Sequence, residues 1–104
     1  MSSRTIEALV QTDGVETTYV RAGAGAPVIV LRACATPAAS DPVIAQLARE
    51  FRVFAPDLCC AENAPGFSEW LRGLIEGLGL EEPRVVVTAD SEEELVALLQ
   101  RVRD

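Results

Sequence analysis

Val28-Ile29-Val30-Leu31 runs for four residues with no polar interruption. Strand side chains alternate between faces, so an all-aliphatic strand needs cover on both of them. A sheet with layers above and below meets that need, and a sheet with one wet face does not. Arg84-Val85-Val86-Val87-Thr88 is a second short apolar run. It passes through a small polar turn, Thr88-Ala89-Asp90-Ser91, directly into a helical pattern from Glu92. In a parallel α/β sheet such a turn stands at the carboxyl end of the strand, where ligands bind.

The rest of the chain builds around these two runs. Thr5 to Gln11 and Val15 to Arg21 read as strands about Thr12-Asp13-Gly14, a hairpin signal because Asp and Gly tolerate positive φ. Ala22-Gly23-Ala24-Gly25-Ala26-Pro27 then leads to the run at 28–31. A phosphate-cradling glycine loop would lead from a strand into a helix. Strands stand on both sides here, so a plain flexible connection is expected. After the loop 32–40, Ser40 or Asp41 can cap a helix that has Pro42 in its first turn. Val43, Ile44, Leu47 and Ala48 are its expected inner face. Phe51 to Ala55 is the next strand, and 56–66 is the longest loop.

Phe67, Trp70, Leu71, Leu74, Ile75 and Leu78 form a helical stripe, with Gly77 and Gly79 as stop signals. Trp70 reads as core. Leu95, Val96, Leu98, Leu99 and Val102 are the expected buried face of the last helix. The order β-β-β-α-β-α-β-α predicts one α/β domain over 1–104. It is a three-layer sandwich: a five-stranded mixed, mostly parallel sheet with three helices on both faces.

Composition narrows the function. A net charge of −7 over 104 residues argues against a nucleic-acid partner and against an anionic membrane surface. All nine cationic residues are Arg and there is no His. Imidazole is therefore unavailable as base, proton shuttle or metal ligand, and no Ser-His-Asp or Cys-His-Asn arrangement exists within one chain. Cys34, Cys59 and Cys60 are odd in number, and two are adjacent, unlike a secreted disulfide framework. No apolar segment is long enough for a signal peptide or a bilayer span. A soluble cytoplasmic protein is the expectation, with no cofactor implied.

The element order and several landmarks resemble the N-terminal half of the α/β-hydrolase fold, over about Thr5 to Arg103. The hairpin followed by Gly23-Ala24-Gly25-Ala26-Pro27 and Val28-Ile29-Val30-Leu31 is similar to that family's glycine turn and third strand. Phe51-Arg52-Val53-Phe54-Ala55-Pro56-Asp57-Leu58 is similar to its fourth strand, which ends in Pro-Asp-Leu. Leu78-Gly79-Leu80-Glu81-Glu82-Pro83-Arg84-Val85-Val86 is similar to the approach to its nucleophile strand. The resemblance implies the strand order first, second, fourth, third, fifth.

The catalytic landmarks depart from the family. Arg32-Ala33 stands where many members have His-Gly, in the loop that helps form the oxyanion hole. Cys59-Cys60-Ala61-Glu62 replaces a glycine-rich turn. The Gly-x-Ser-x-Gly nucleophile elbow aligns with Thr88-Ala89-Asp90-Ser91-Glu92, which lacks both glycines and has Asp90 at the nucleophile position. The sequence stops after the next helix, so the region carrying the family's later acid and His is expected to be missing, leaving a truncated domain.

Seven residues are candidates for a cleft at the carboxyl ends of the strands: Arg32, Cys34, Asp57, Cys59, Cys60, Asp90 and Ser91. Asp90 could serve as an Asp nucleophile, as in haloalkane dehalogenases, although these also use a glycine elbow and a His. The plainer reading makes Asp90 or Ser91 a helix cap, with Glu93 or Glu94 completing a capping box. The three thiols could form a reactive cysteine, a reversible disulfide or a soft-metal site. As small apolar loop residues they need no such role, and the nearby acids would raise thiol pKa. Glu92-Glu93-Glu94 spreads around a helix axis and makes no metal cluster.

In the implied strand order, 84–88 is an edge, apolar and with little charge to protect it. The expected function is therefore a non-catalytic hydrolase-like domain that self-associates or binds a protein. Homodimerisation through strand 84–88 is the favoured form. The alternative is a hydrolase-related enzyme, or a thiol- or small-ligand-binding module, using the cleft.

Overall fold

A computed structural model describes residues 5–12, 15–33, 40–57 and 66–103. The elements are β1 (Thr5–Thr12), β2 (Val15–Ala22), β3 (Ala26–Ala33), α1 (Pro42–Leu47), β4 (Phe51–Pro56), α2 (Phe67–Gly77), β5 (Arg84–Ala89) and α3 (Glu92–Arg103). They form a five-stranded sheet in the order β1-β2-β4-β3-β5. β1 and β2 pair antiparallel from Thr5↔Ala22 to Thr12↔Val15. β2 runs antiparallel to β4, while β3 is parallel to both β4 and β5. The α/β class, the mixed sheet and the strand order all match the sequence expectation.

Alternation along β3 sorts the core into two layers. Val28 and Val30 pack with Ile44, Ala48, Val53 and Ala55 on the α1 face. Ile29 and Leu31 pack with Phe54, Trp70, Leu74 and Leu98 on the face covered by α2 and α3. All four aliphatic residues of β3 are 0–2% exposed. Burial of each such side chain contributes about 1.5–3 kcal/mol, so the apolar run anchors both layers at once.

Local signals set the ends of the helices. Asp41 caps α1 by accepting from the Val43 N–H at 2.8 Å. α2 stops in a Schellman turn: the Leu80 N–H donates to the Ile75 carbonyl and the Gly79 N–H to the Glu76 carbonyl, both at 3.1 Å, with Gly79 at φ 70°. The β2–β3 connection is tighter than a flexible linker. A Cβ on Gly23 would lie 2.3 Å from the Phe51 carbonyl oxygen and 2.5 Å from that of Ala48. The glycine lets this turn press against the α1–β4 corner.

Three apolar residues expected inside are on the surface: Val43, Val96 and Leu99 are 39%, 48% and 43% exposed. On α3 the sheet takes Leu98 and part of Leu95. The stripe of five aliphatic residues is wider than the contact one sheet face makes with one helix. No helix among the described residues is long and apolar enough to cross a membrane.

Candidate functional site at the carboxyl ends of the strands

β4, β3 and β5 are neighbours, and their parallel pairing brings their carboxyl ends to one edge. Arg32 pairs with Thr88 and Ala33 with Ala89. Continued past its last pair, Ile29↔Phe54, the β3–β4 register sets Asp57 level with Arg32. Arg32, Asp57, Asp90 and Ser91 thus share this edge. Cys34, Cys59 and Cys60 lie outside the described residues.

Two of these side chains, Arg32 and Ser91, serve structural ends. Arg32 has the parity of Val28 and Val30, so it points to the α1 face. There its Nε donates to Asp41 Oδ2 at 2.6 Å, in a pair whose side chains are 9% and 8% exposed. The same carboxylate caps α1 through its other oxygen. The cap is legible in the sequence; the pair shows only once strand parity and the placement of α1 are both fixed. Asp57 is exposed, and its N–H donates to the Thr18 carbonyl at 2.9 Å, tying the end of β4 to β2.

The turn after β5 is an ordinary helix start. Ser91 Oγ accepts from the Glu94 N–H at 3.2 Å. The Ser91 carbonyl accepts from Leu95, opening the helical ladder. Asp90 is exposed, and its N–H reaches the Ala33 carbonyl at 3.4 Å, closing β5 against β3. No residue from Thr88 to Glu92 has positive φ; among the described residues Glu82 is the non-glycine one that does. The left-handed backbone that strains a sharp strand-to-helix turn is not used here. No group of three or more acidic or thiol side chains suited to a metal ion occurs among the described residues. An open hollow on α3, lined by Glu92, Glu93, Val96, Ala97 and Gln100, lies on the helix surface rather than over the strand ends.

No family model matches the sequence, and no curated protein does. Solved structures match closely in backbone. Naproxen esterase, a carboxylesterase from Bacillus subtilis, is similar with a TM-score of 0.70 and 20% identity over 82% of this chain and 34% of its own. The 2-hydroxy-6-oxo-6-phenylhexa-2,4-dienoate hydrolase of Rhodococcus sp. strain RHA1 gives 0.64 and 23% identity, over 94% of this chain and 42% of its own. A serine hydrolase involved in carbazole degradation gives 0.54 and 24%, over 85% and 39%. The chain spans between a third and just over two fifths of the length of these enzymes. Its strand order, its hairpin and its three helices are those of the first part of an α/β-hydrolase fold.

Proposed function

We propose that this chain is a non-catalytic α/β-hydrolase-like domain that acts through self-association, with β5 as its contact edge. One observation carries the reading: β5 pairs with β3 on one side and with no described strand on the other. Its residues are apolar apart from Arg84 and Thr88, and Val85 is 40% exposed. Such an edge favours pairing with another strand. The chemistry at the strand ends supports the same reading. Ser91 is used as a cap, Arg32 is held by Asp41, and the 104 residues hold no His to act as base.

A hydrolytic role is the second reading, favoured by the hydrolases among the structural neighbours. It needs a base from elsewhere. Two measurements on the whole chain separate these readings. Light scattering on a size-exclusion column is expected to give twice the chain mass at micromolar concentration; a strict monomer overturns self-association. Turnover of an activated ester, abolished by Asp90→Ala, would overturn the non-catalytic reading.

A further inference from the structure

The two long helices are held to the sheet unequally. α2 buries Trp70, Gly73 and Leu74, and Trp70 donates a buried hydrogen bond to Thr17 of β2. α3 is as long, yet of its ten described side chains, 92–101, eight are exposed, Leu95 is half-buried and Leu98 alone is buried. Val96 and Leu99 are about half exposed, so they add little hold. A second hold is Arg101, which stacks over Phe67 of α2 at 4.7 Å from the ring centre, in a contact open to solvent.

Local stability follows the apolar contact an element buries. By that measure α3 is the weaker of the two helices. A helix of its 12 residues is marginal in water when it packs against nothing. Once Leu98 leaves the layer, α3 therefore melts as a unit. The two residues Asp90 and Ser91 still tether it to the end of β5. The other layers do not depend on it. The strands pair with one another, α1 packs with Val28, Val30 and Val53 on the far face, and α2 keeps its bond to Thr17.

Opening changes what solvent can reach. Leu98 shares its cluster with Ile29 and Leu31 of β3 and with Trp70 and Leu74 of α2. Its withdrawal leaves an apolar slot at least the size of one leucine side chain, bounded by strand on one side and helix on the other.

We propose that α3 is a hinged cover. It melts away from a sheet that stays folded, turning about Asp90-Ser91, and gives access to the apolar layer beneath it within the folded chain. Leu98 is the anchor and the Arg101–Phe67 stack is the catch. This goes beyond self-association and does not depend on it.

The test is amide hydrogen exchange on the full chain at submicromolar concentration, followed through dilute urea below the unfolding transition. Amides of α3 are expected to be protected about 100-fold less than those of Ile29–Leu31, and with a shallower dependence on urea, because opening exposes less surface than unfolding does. Thr17→Val breaks a tie that the open form keeps. It is expected to speed exchange in β3 about tenfold and to leave α3 unchanged. Leu98→Ala is expected to speed exchange in α3 by about 30-fold or more, and Arg101→Ala by about threefold. Amides of α3 that match β3 in both protection and urea dependence overturn the cover. So does a Thr17→Val variant that speeds α3 and β3 by the same factor, or an α3 indifferent to Leu98→Ala.

Discussion

Arg32 at the end of β3 donates its Nε–H to Asp41 at 2.6 Å, and Asp41 caps α1, so one carboxylate joins strand and helix across the loop between them. The pair is nearly buried, which makes its disruption costly. Asp41→Ala removes the cap and one partner of a nearly buried guanidinium, with an expected loss of about 1–3 kcal/mol in urea unfolding. Arg32→Met combined with Asp41→Ser keeps a cap and buries no charge. It should recover most of that loss, and a double variant as unstable as Asp41→Ala would show that the pair is not the source.

Gly23 has φ 81° and sits against the Phe51 and Ala48 carbonyls. Gly23→Ala adds a methyl group with no room and an unfavourable backbone, and should cost about 2–4 kcal/mol. Gly66 caps α2 with extended backbone, no side-chain cap bond and open space around its Cβ. Gly66→Ser should raise the thermal midpoint slightly, by a gain of about 0.5 kcal/mol. Equal effects of the two changes would contradict the close approach at Gly23.

Trp70 donates its indole N–H to Thr17 Oγ1 at 3.0 Å, and both side chains are buried. The bond ties α2 to β2. Thr17→Val preserves shape but leaves a buried donor unpaired, and should destabilise by about 1–3 kcal/mol. In a double-mutant cycle with Trp70→Phe, the combined loss should fall below the sum of the single losses. Strict additivity would mean that the bond contributes nothing.

Ser91 and Asp90 separate stability from chemistry at the turn after β5. Ser91→Ala removes the cap bond to Glu94 and should cost about 1 kcal/mol. Asp90→Asn should leave any trace of ester hydrolysis unchanged, because nothing in the proposed role uses its carboxylate. A selective loss of turnover in Asp90→Asn would revive Asp90 as a nucleophile.

The sheet was legible in the sequence because each strand carries a local signal. The run at 28–31 demanded two covered faces, and the Asp41-Pro42 start and Gly79 stop bounded helices through caps that depend on neighbours in the chain. The strand order came through resemblance, not pattern. Long-range pairing was hidden: nothing local tells Arg32 that Asp41 waits on the α1 face, or Thr17 that Trp70 lies across the layer. The exposed side of α3 is hidden in the sequence for a related reason. Val96 and Leu99 look like core in a heptad-like stripe, and only the fold shows that β5 is the outermost described strand beneath them.

Amide hydrogen exchange on the whole chain, at submicromolar and at high micromolar concentration, tests the contact edge directly. Protection should rise with concentration in Val85–Val87, while β1, at the other edge of the described sheet, stays unchanged. Exchange in β5 that is independent of concentration, or a rise confined to β1, would contradict the account.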